Sequence, residues 1–216
     1  MRIKICGITQ PDQGMAIAQL GATALGFICV ESSPRYVSPE QIQRITQPLL
    51  EAQTLDAPDR VGVFANANLD TICKTVTTGN LNVVQLHGDE SLAFCQQVKA
   101  ALPTVEVIKA FRIRDKAALS QTYDYATVAD TILLDAYHPN ILGGTGHTID
   151  WSILQSFQPD CPWFLAGGLN PENVADAIEQ VHPDGIDLSS GVEDSPGHKN
   201  LGKVRQLFQH IHSVRT

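Results

Sequence analysis

Eight times along this chain a short run rich in β-branched residues gives way to a segment with helical spacing of apolar positions, and no other feature restricts the fold as much. The strand-like runs fall near 2–6, 23–30, 60–65, 81–86, 105–110, 131–135, 163–167 and 185–188. Strands that alternate with helices in this way build a parallel sheet with helical cover. Across 216 residues the units average roughly 27 residues each, near the lower limit for a closed barrel and with no surplus for a second domain. The predicted fold is therefore α/β: a single-domain (β/α)₈ or TIM barrel over residues 1–216, with one parallel, eight-stranded closed sheet. An open doubly wound sheet is the alternative. It would carry Gly-x-Gly-x-x-Gly after an early strand, and the chain has no such fingerprint.

Helix starts are written into several crossovers. Ser38-Pro39-Glu40-Gln41 reads as a capping box with proline at the first helical position, followed by Ile42, Ile45 and Leu49 at helical spacing. Asn170-Pro171-Glu172 is expected to open another helix, with Val174, Ala177, Ile178 and Val181 on one stripe. Asp89 is expected to cap a third. The crossover from 115 to 125 is the least regular, with few apolar residues in register.

Composition excludes several classes. No apolar run approaches a membrane span, and Met1-Arg2-Ile3-Lys4 is not followed by the apolar core of a signal peptide. Five cysteines without a Cys-x-x-Cys pair argue against a disulfide framework and against zinc, so a reducing cytoplasm is the expected location. Seven histidines show no metal spacing. A net charge of -8 disfavours nucleic acid and acidic membranes as partners, while leaving room for a small anion held by backbone amides and an arginine. A monomer is the expected state.

In a barrel of this kind the working residues sit at the carboxyl ends of strands and in the loops that follow. Cys6 ends the first strand, and alternation puts it on the same face as Lys4. It is either a reactive thiol or a small buried hydrophobe. Arg35, stiffened by Pro34, is either a carboxylate clamp or a solvated surface arginine. Gly167-Gly168 and Ser189-Ser190-Gly191 follow strands seven and eight, where barrels frequently bind phosphate. Gly143-Gly144-Thr145-Gly146 lacks the Gly-Lys-Ser/Thr of a nucleotide loop and reads as a mobile lid over the ligand. Strand six ends at Asp135. His87 is either a ligand donor or a packed residue at the barrel mouth, and Asp187 reads as a structural partner for Lys4, without a catalytic role.

Together these residues resemble the phosphoribosylanthranilate isomerase family over nearly the whole chain. The likeness rests on Lys4-Ile5-Cys6-Gly7-Ile8-Thr9, Ser33-Pro34-Arg35, Val61-Gly62-Val63-Phe64, Val84-Gln85-Leu86-His87-Gly88, Lys109-Ala110-Phe111-Arg112, Leu133-Leu134-Asp135, Gly143-Gly144-Thr145-Gly146, Ala166-Gly167-Gly168-Leu169 and Ser189-Ser190-Gly191-Val192-Glu193. Ile149 and Leu188 depart from the usual pattern, at positions without an assigned role. The resemblance implies an isomerase of tryptophan biosynthesis that converts N-(5-phosphoribosyl)anthranilate to 1-(o-carboxyphenylamino)-1-deoxyribulose 5-phosphate, an Amadori rearrangement needing neither cofactor nor metal. It further implies Cys6 as general base, Asp135 as general acid and Arg35 as ligand of the anthranilate carboxylate. The positive field of Lys4 is expected to enlarge the thiolate fraction of Cys6.

Two other functions compete. The related histidine-pathway phosphoribosyl isomerase uses a pair of aspartates, and Cys6 speaks against it. A non-catalytic sugar-phosphate-binding barrel would keep Cys6 as a core residue and Asp135 as a hydrogen-bond acceptor.

Overall fold

The computed structural model describes residues 1–52, 57–136 and 151–214. Eight parallel strands close in chain order: β1 (Arg2–Cys6), β2 (Ala24–Ile28), β3 (Asp59–Phe64), β4 (Val83–Leu86), β5 (Glu106–Ile113), β6 (Thr131–Ala136), β7 (Trp163–Leu165) and β8 (Gly185–Leu188), with β8 paired back onto β1. Around them lie α1 (Pro11–Gln19), α2 (Pro39–Glu51), α3 (Leu69–Thr78), α4 (Leu92–Ala101), α5 (Lys116–Ser120), α6 (Thr122–Tyr125), α7 (Val174–Val181) and α8 (Leu201–Val214). The irregular crossover after β5 becomes two short helices, α5 and α6. Between β6 and β7 the described residues hold one 3₁₀ turn, Trp151–Leu154. An antiparallel hairpin, β9 (Glu193–Ser195) with β10 (His198–Lys199), follows β8 and has no counterpart in the sequence reading.

The caps carry both agreements and corrections. Ser38 and Gln41 form the reciprocal capping box at the start of α2. At α4 the cap is Ser91, whose side chain accepts from the Phe94 N–H; the expected Asp89 instead stands exposed beside Arg112. The α7 helix begins at Val174, later than the Asn170-Pro171 signal suggests. Asn170 uses its side-chain oxygen on the N–H groups of Glu172 and Asn173, a local turn that competes with helix at those residues.

Strands buried on both faces explain why the sequence runs are almost continuously apolar. Inside the barrel a small core contains Ala24, Val61, Val83, Ile108, Leu133 and Phe164, while Ile3, Ile5, Leu25 and Phe27 point outward into the larger core beneath the helices. The strand starts close the opposite end with charge. Arg2 donates to Asp59 at 2.7 Å and to Glu106 at 2.7 and 2.9 Å, Thr131 donates to Glu106, and the guanidinium lies 5.0 Å from the Phe164 ring centre.

Phe164 fills the space left by Gly185 on the neighbouring strand: a Cβ at 185 would stand 2.3 Å from the ring. Interior overpacking of this kind costs roughly 1–3 kcal/mol. Gly185→Ala should therefore lower the urea midpoint with an unchanged m-value, and an unaltered midpoint would show that the ring is free to move aside.

Candidate active site

At the carboxyl end of the strands a cavity of about 520 Å³ is lined by Cys6 from β1, Arg35 from the loop after β2, Gln85 and His87 from β4 and its loop, and Asp135 from β6. Gly167, Gly168, Asp187, Ser189 and Ser190 complete the wall from the β7 and β8 side. Most residues singled out in the sequence thus converge on one space. Gly191 does not line it. That glycine packs under the β7 loop, where an added Cβ would meet the Leu169 carbonyl at 2.0 Å, so its role is close approach of two loops. Gly144 and the rest of Gly143-Gly144-Thr145-Gly146 lie outside the described residues.

The alternation of β1 sends Lys4 and Cys6 inward and Ile3 and Ile5 outward. Gly26, register partner of Cys6 on β2, makes room for the sulfur: a Cβ there would stand 2.7 Å from Sγ. Gly7 follows with φ of +80°, and a Cβ there would strike the Arg35 stem at 2.7 Å. A side-chain-free residue is needed for the turn and for the arginine crossing over it. Lys4 is fully buried, its Nζ 2.9 Å from Asp187 Oδ2. Burial alone would depress this ammonium, but the charge of Asp187 above all, with the hydrogen bonds to Asp187 and Cys6, holds the lysine above its ordinary value.

Lys4 pulls the thiol in the expected direction, toward the thiolate, but does not decide where it stands. Burial pushes Cys6 upward, and although Lys4 and Lys199 pull the other way, Asp187 adds its own upward push. The net direction is up. With its nearest cation already neutralised by a carboxylate, Cys6 in the free protein stays a thiol.

Arg35 is not a solvated surface residue, since its side chain is only 14% exposed. Its Nε donates to both oxygens of Glu193 at 3.0 and 3.1 Å, and its Nη2 donates to Oε2 at 2.7 Å. Glu193 also accepts from Lys199 Nζ at 2.7 Å and from the Gly197 N–H. Burial alone would raise this carboxyl, but the Arg35 and Lys199 contacts hold it below the usual range. Glu193 takes one edge of the guanidinium and leaves the Nη1 edge for a second planar anion. The sequence reading gave no role to Glu193 or Lys199. Glu193 stood inside a recognised stretch without a partner to reveal it, and Lys199 had no signal at all.

Across the cavity Asp135 is 5% exposed, with Oδ2 3.3 Å from His87 Nε2. Gln85 Nε2 donates to His87 Nδ1 at 2.8 Å, which turns the other ring nitrogen toward the carboxylate. His87 therefore packs at the barrel mouth and faces the cavity at once. Gly167 and Gly168 take φ of +89° and +66°, and the loop is pinned by Asn173 donating to the Gly168 carbonyl. Among the described residues no three His, Cys, Asp or Glu side chains group as a metal ion requires, and no helix is long and apolar enough to cross a membrane.

Residues 3–210 match the family model for N-(5′-phosphoribosyl)anthranilate isomerase. The N-(5′-phosphoribosyl)anthranilate isomerase of Acaryochloris marina is 64% identical over 216 residues, covering 99% of both chains. The crystal structure of phosphoribosyl anthranilate isomerase from Thermotoga maritima superposes with a TM-score of 0.86 at 35% identity, again over 99% of each chain. Another, of a phosphoribosyl anthranilate isomerase in complex with reduced 1-(o-carboxyphenylamino)-1-deoxyribulose 5-phosphate, gives a TM-score of 0.83 at 33% identity and 99% coverage of both. A closed eight-stranded barrel, a cavity shared by a thiol, a carboxylate and an arginine, and likeness along the full chain converge on one assignment: the chain belongs to the N-(5′-phosphoribosyl)anthranilate isomerase family.

Proposed function

We propose that the protein converts N-(5′-phosphoribosyl)anthranilate to 1-(o-carboxyphenylamino)-1-deoxyribulose 5-phosphate in tryptophan biosynthesis. The observation that carries the reading is a buried thiol on β1 and a buried carboxyl on β6 lining one cavity together. An Amadori rearrangement asks for that pair. Asp135 protonates the ribofuranose ring oxygen, and the anilino nitrogen lone pair expels it, opening the ring to an iminium ion. Cys6 then removes the C2 proton, giving an enolamine that becomes the ketone as C1 gains a proton and the C2 oxygen loses one. Every step either transfers a proton or shifts an electron pair within the substrate, with no external oxidant or reductant, so the reading calls for no metal or cofactor.

The raised Cys6 fits this sequence. Lys4 is already engaged by Asp187, so the cationic iminium of the substrate supplies the charge that favours a thiolate, at the moment the base is needed. The free Nη1 edge of Arg35 receives the anthranilate carboxylate. Gly167, Gly168, Ser189 and Ser190 offer backbone N–H groups and hydroxyls to the phosphate at the other end of the ligand. Gly144, which follows β6 in the sequence, is assigned to the same ligand.

The direct experiment is conversion of freshly made phosphoribosylanthranilate by the purified protein. Cys6→Ser and Asp135→Asn should each lower kcat by at least about 10² to 10⁴ with a native circular-dichroism spectrum. Near-wild-type turnover in either variant removes that residue's assigned role.

Arg35→Met should weaken ligands bearing the anthranilate carboxylate by about 2–5 kcal/mol, the range for truncating one partner of a desolvated charge pair. A carboxyl-free analogue should bind wild type and variant alike. Equal losses for both ligands would assign Arg35 to the fold instead.

Alkylation of Cys6 by iodoacetamide, followed by peptide mass spectrometry, should be slow at pH 7 and reach half its limiting rate above the ordinary thiol pKa of about 8.5. The sign follows from the groups around the sulfur: burial and Asp187 disfavour the thiolate more than Lys4 and Lys199 favour it. Fast alkylation at neutral pH would contradict this.

A further inference from the structure

Three lysines end inside the protein, each against a carboxylate: Lys4 and Asp187 at 2.9 Å, Lys109 and Glu90 at 3.1 Å, and Lys199 and Glu193 at 2.7 Å. A buried carboxylate is satisfied only when both oxygens meet donors. Glu90 has donors on both: the Asn66 and Gly88 N–H groups reach Oε1, and Gly88 and Lys109 reach Oε2. Glu193 likewise has Lys199, Gly197 and Arg35 on Oε1 and Arg35 on Oε2. Asp187 differs. Lys4 occupies Oδ2, whereas Oδ1 is buried without a hydrogen-bond partner among the described residues. Of the three acids, Asp187 is also the one that lines the cavity with Cys6, while being 8% exposed.

A carboxylate held by an ammonium accepts hydrogen bonds and donates none, so the group that completes it must be a donor. A phosphate or a second carboxylate is repelled there. What remains of a sugar-phosphate ligand with a carboxylate at its far end is the hydroxylated carbon chain between them. Lys4 and Asp187 are register partners across β1 and β8, and Cys6 lies two residues further along β1 on the same inward face. The nearest hydroxyl is thus the one on the carbon whose proton goes to Cys6.

We propose that Asp187 is a substrate-binding residue, its Oδ1 accepting a hydrogen bond from the hydroxyl on the sugar carbon that Cys6 deprotonates. This rests on the isomerase reading above. Lys4 then orients the carboxylate, and the interior ion pair doubles as the floor of the site.

The test uses the full chain and two probes, reduced 1-(o-carboxyphenylamino)-1-deoxyribulose 5-phosphate and its counterpart lacking the C2 hydroxyl, titrated by calorimetry. The wild-type protein should bind the hydroxyl-bearing probe about 10- to 100-fold more tightly, as a site with a buried polar group left unpaired discriminates against the deoxy ligand. In Asp187→Asn that ratio should fall to within about threefold, chiefly through loss of the hydroxyl-bearing probe. If Asp187→Asn lacks a native circular-dichroism spectrum, Lys4→Met/Asp187→Leu, which leaves no buried charge unpaired, is read in its place. Equal binding of both probes by the wild type, or an undiminished ratio in the folded variant, or equal loss of both probes, overturns the proposal. Turnover of phosphoribosylanthranilate by the same wild-type preparation separates the two ideas: with turnover intact, any of these outcomes removes Asp187 alone, and without turnover the isomerase reading fails and takes Asp187 with it.

Discussion

An ammonium cannot stay inside a protein without a carboxylate beside it, and the mouth of this barrel is built around that requirement. Lys4, Lys109 and Lys199 are all buried, with exposures of 0%, 2% and 3%. Each joins pieces of chain that the strand ladder alone would leave less tightly fixed. Lys4 ties β1 to β8. Lys109 reaches from β5 to Glu90 and to the carbonyls of Leu86 and Gly88, closing the turn after β4. Lys199 holds Glu193 within the hairpin, and Glu193 in turn holds Arg35, which reaches it over Gly7 from the loop after β2. Removing one partner of such a pair leaves the other uncompensated, so the pairs fix where the polar side chains stand.

This electrostatic frame also separates rest from reaction. A thiol beside an unpaired lysine would be ionised continuously and exposed to oxidation. Here the lysine is engaged, Cys6 is 6% exposed, and burial keeps its proton on. A second cysteine nearby, Cys29, is pushed up to about 12, again by burial first. The interior thus keeps its thiols quiet by withholding solvent.

Much of the barrel was legible because its cause is local. The β-branched runs, the Ser38 capping box and the spacing of Ile42, Ile45 and Leu49 are set by neighbours in sequence, and they appear in the structure as read. The candidate site was legible in part, in that Cys6, Asp135 and residues of the loops after β7 and β8 line one cavity. What escaped depends on partners far away in the chain. The Arg35–Glu193 contact spans 158 positions, so neither residue announces the other. The opposing effect of Asp187 on Cys6 is likewise invisible until β8 pairs with β1. The misplaced cap at α4 is a smaller matter: Asp89 and Ser91 are both good caps two residues apart, and the helix starts after the second.

The hairpin after β8 has a further consequence, in time. Thr9 donates to the Gly197 carbonyl and Gln13 exchanges hydrogen bonds with Lys199, so the β1–α1 unit is fastened to a segment 186 to 188 positions later. During synthesis the N-terminal residues emerge first, and Cys6 is among them. Its surroundings, however, are completed by Asp187, Ser189 and Lys199, which follow it by more than 180 positions. The cavity wall around Cys6 therefore waits for β8 and its hairpin, and a nascent chain short of them has the thiol without its surroundings.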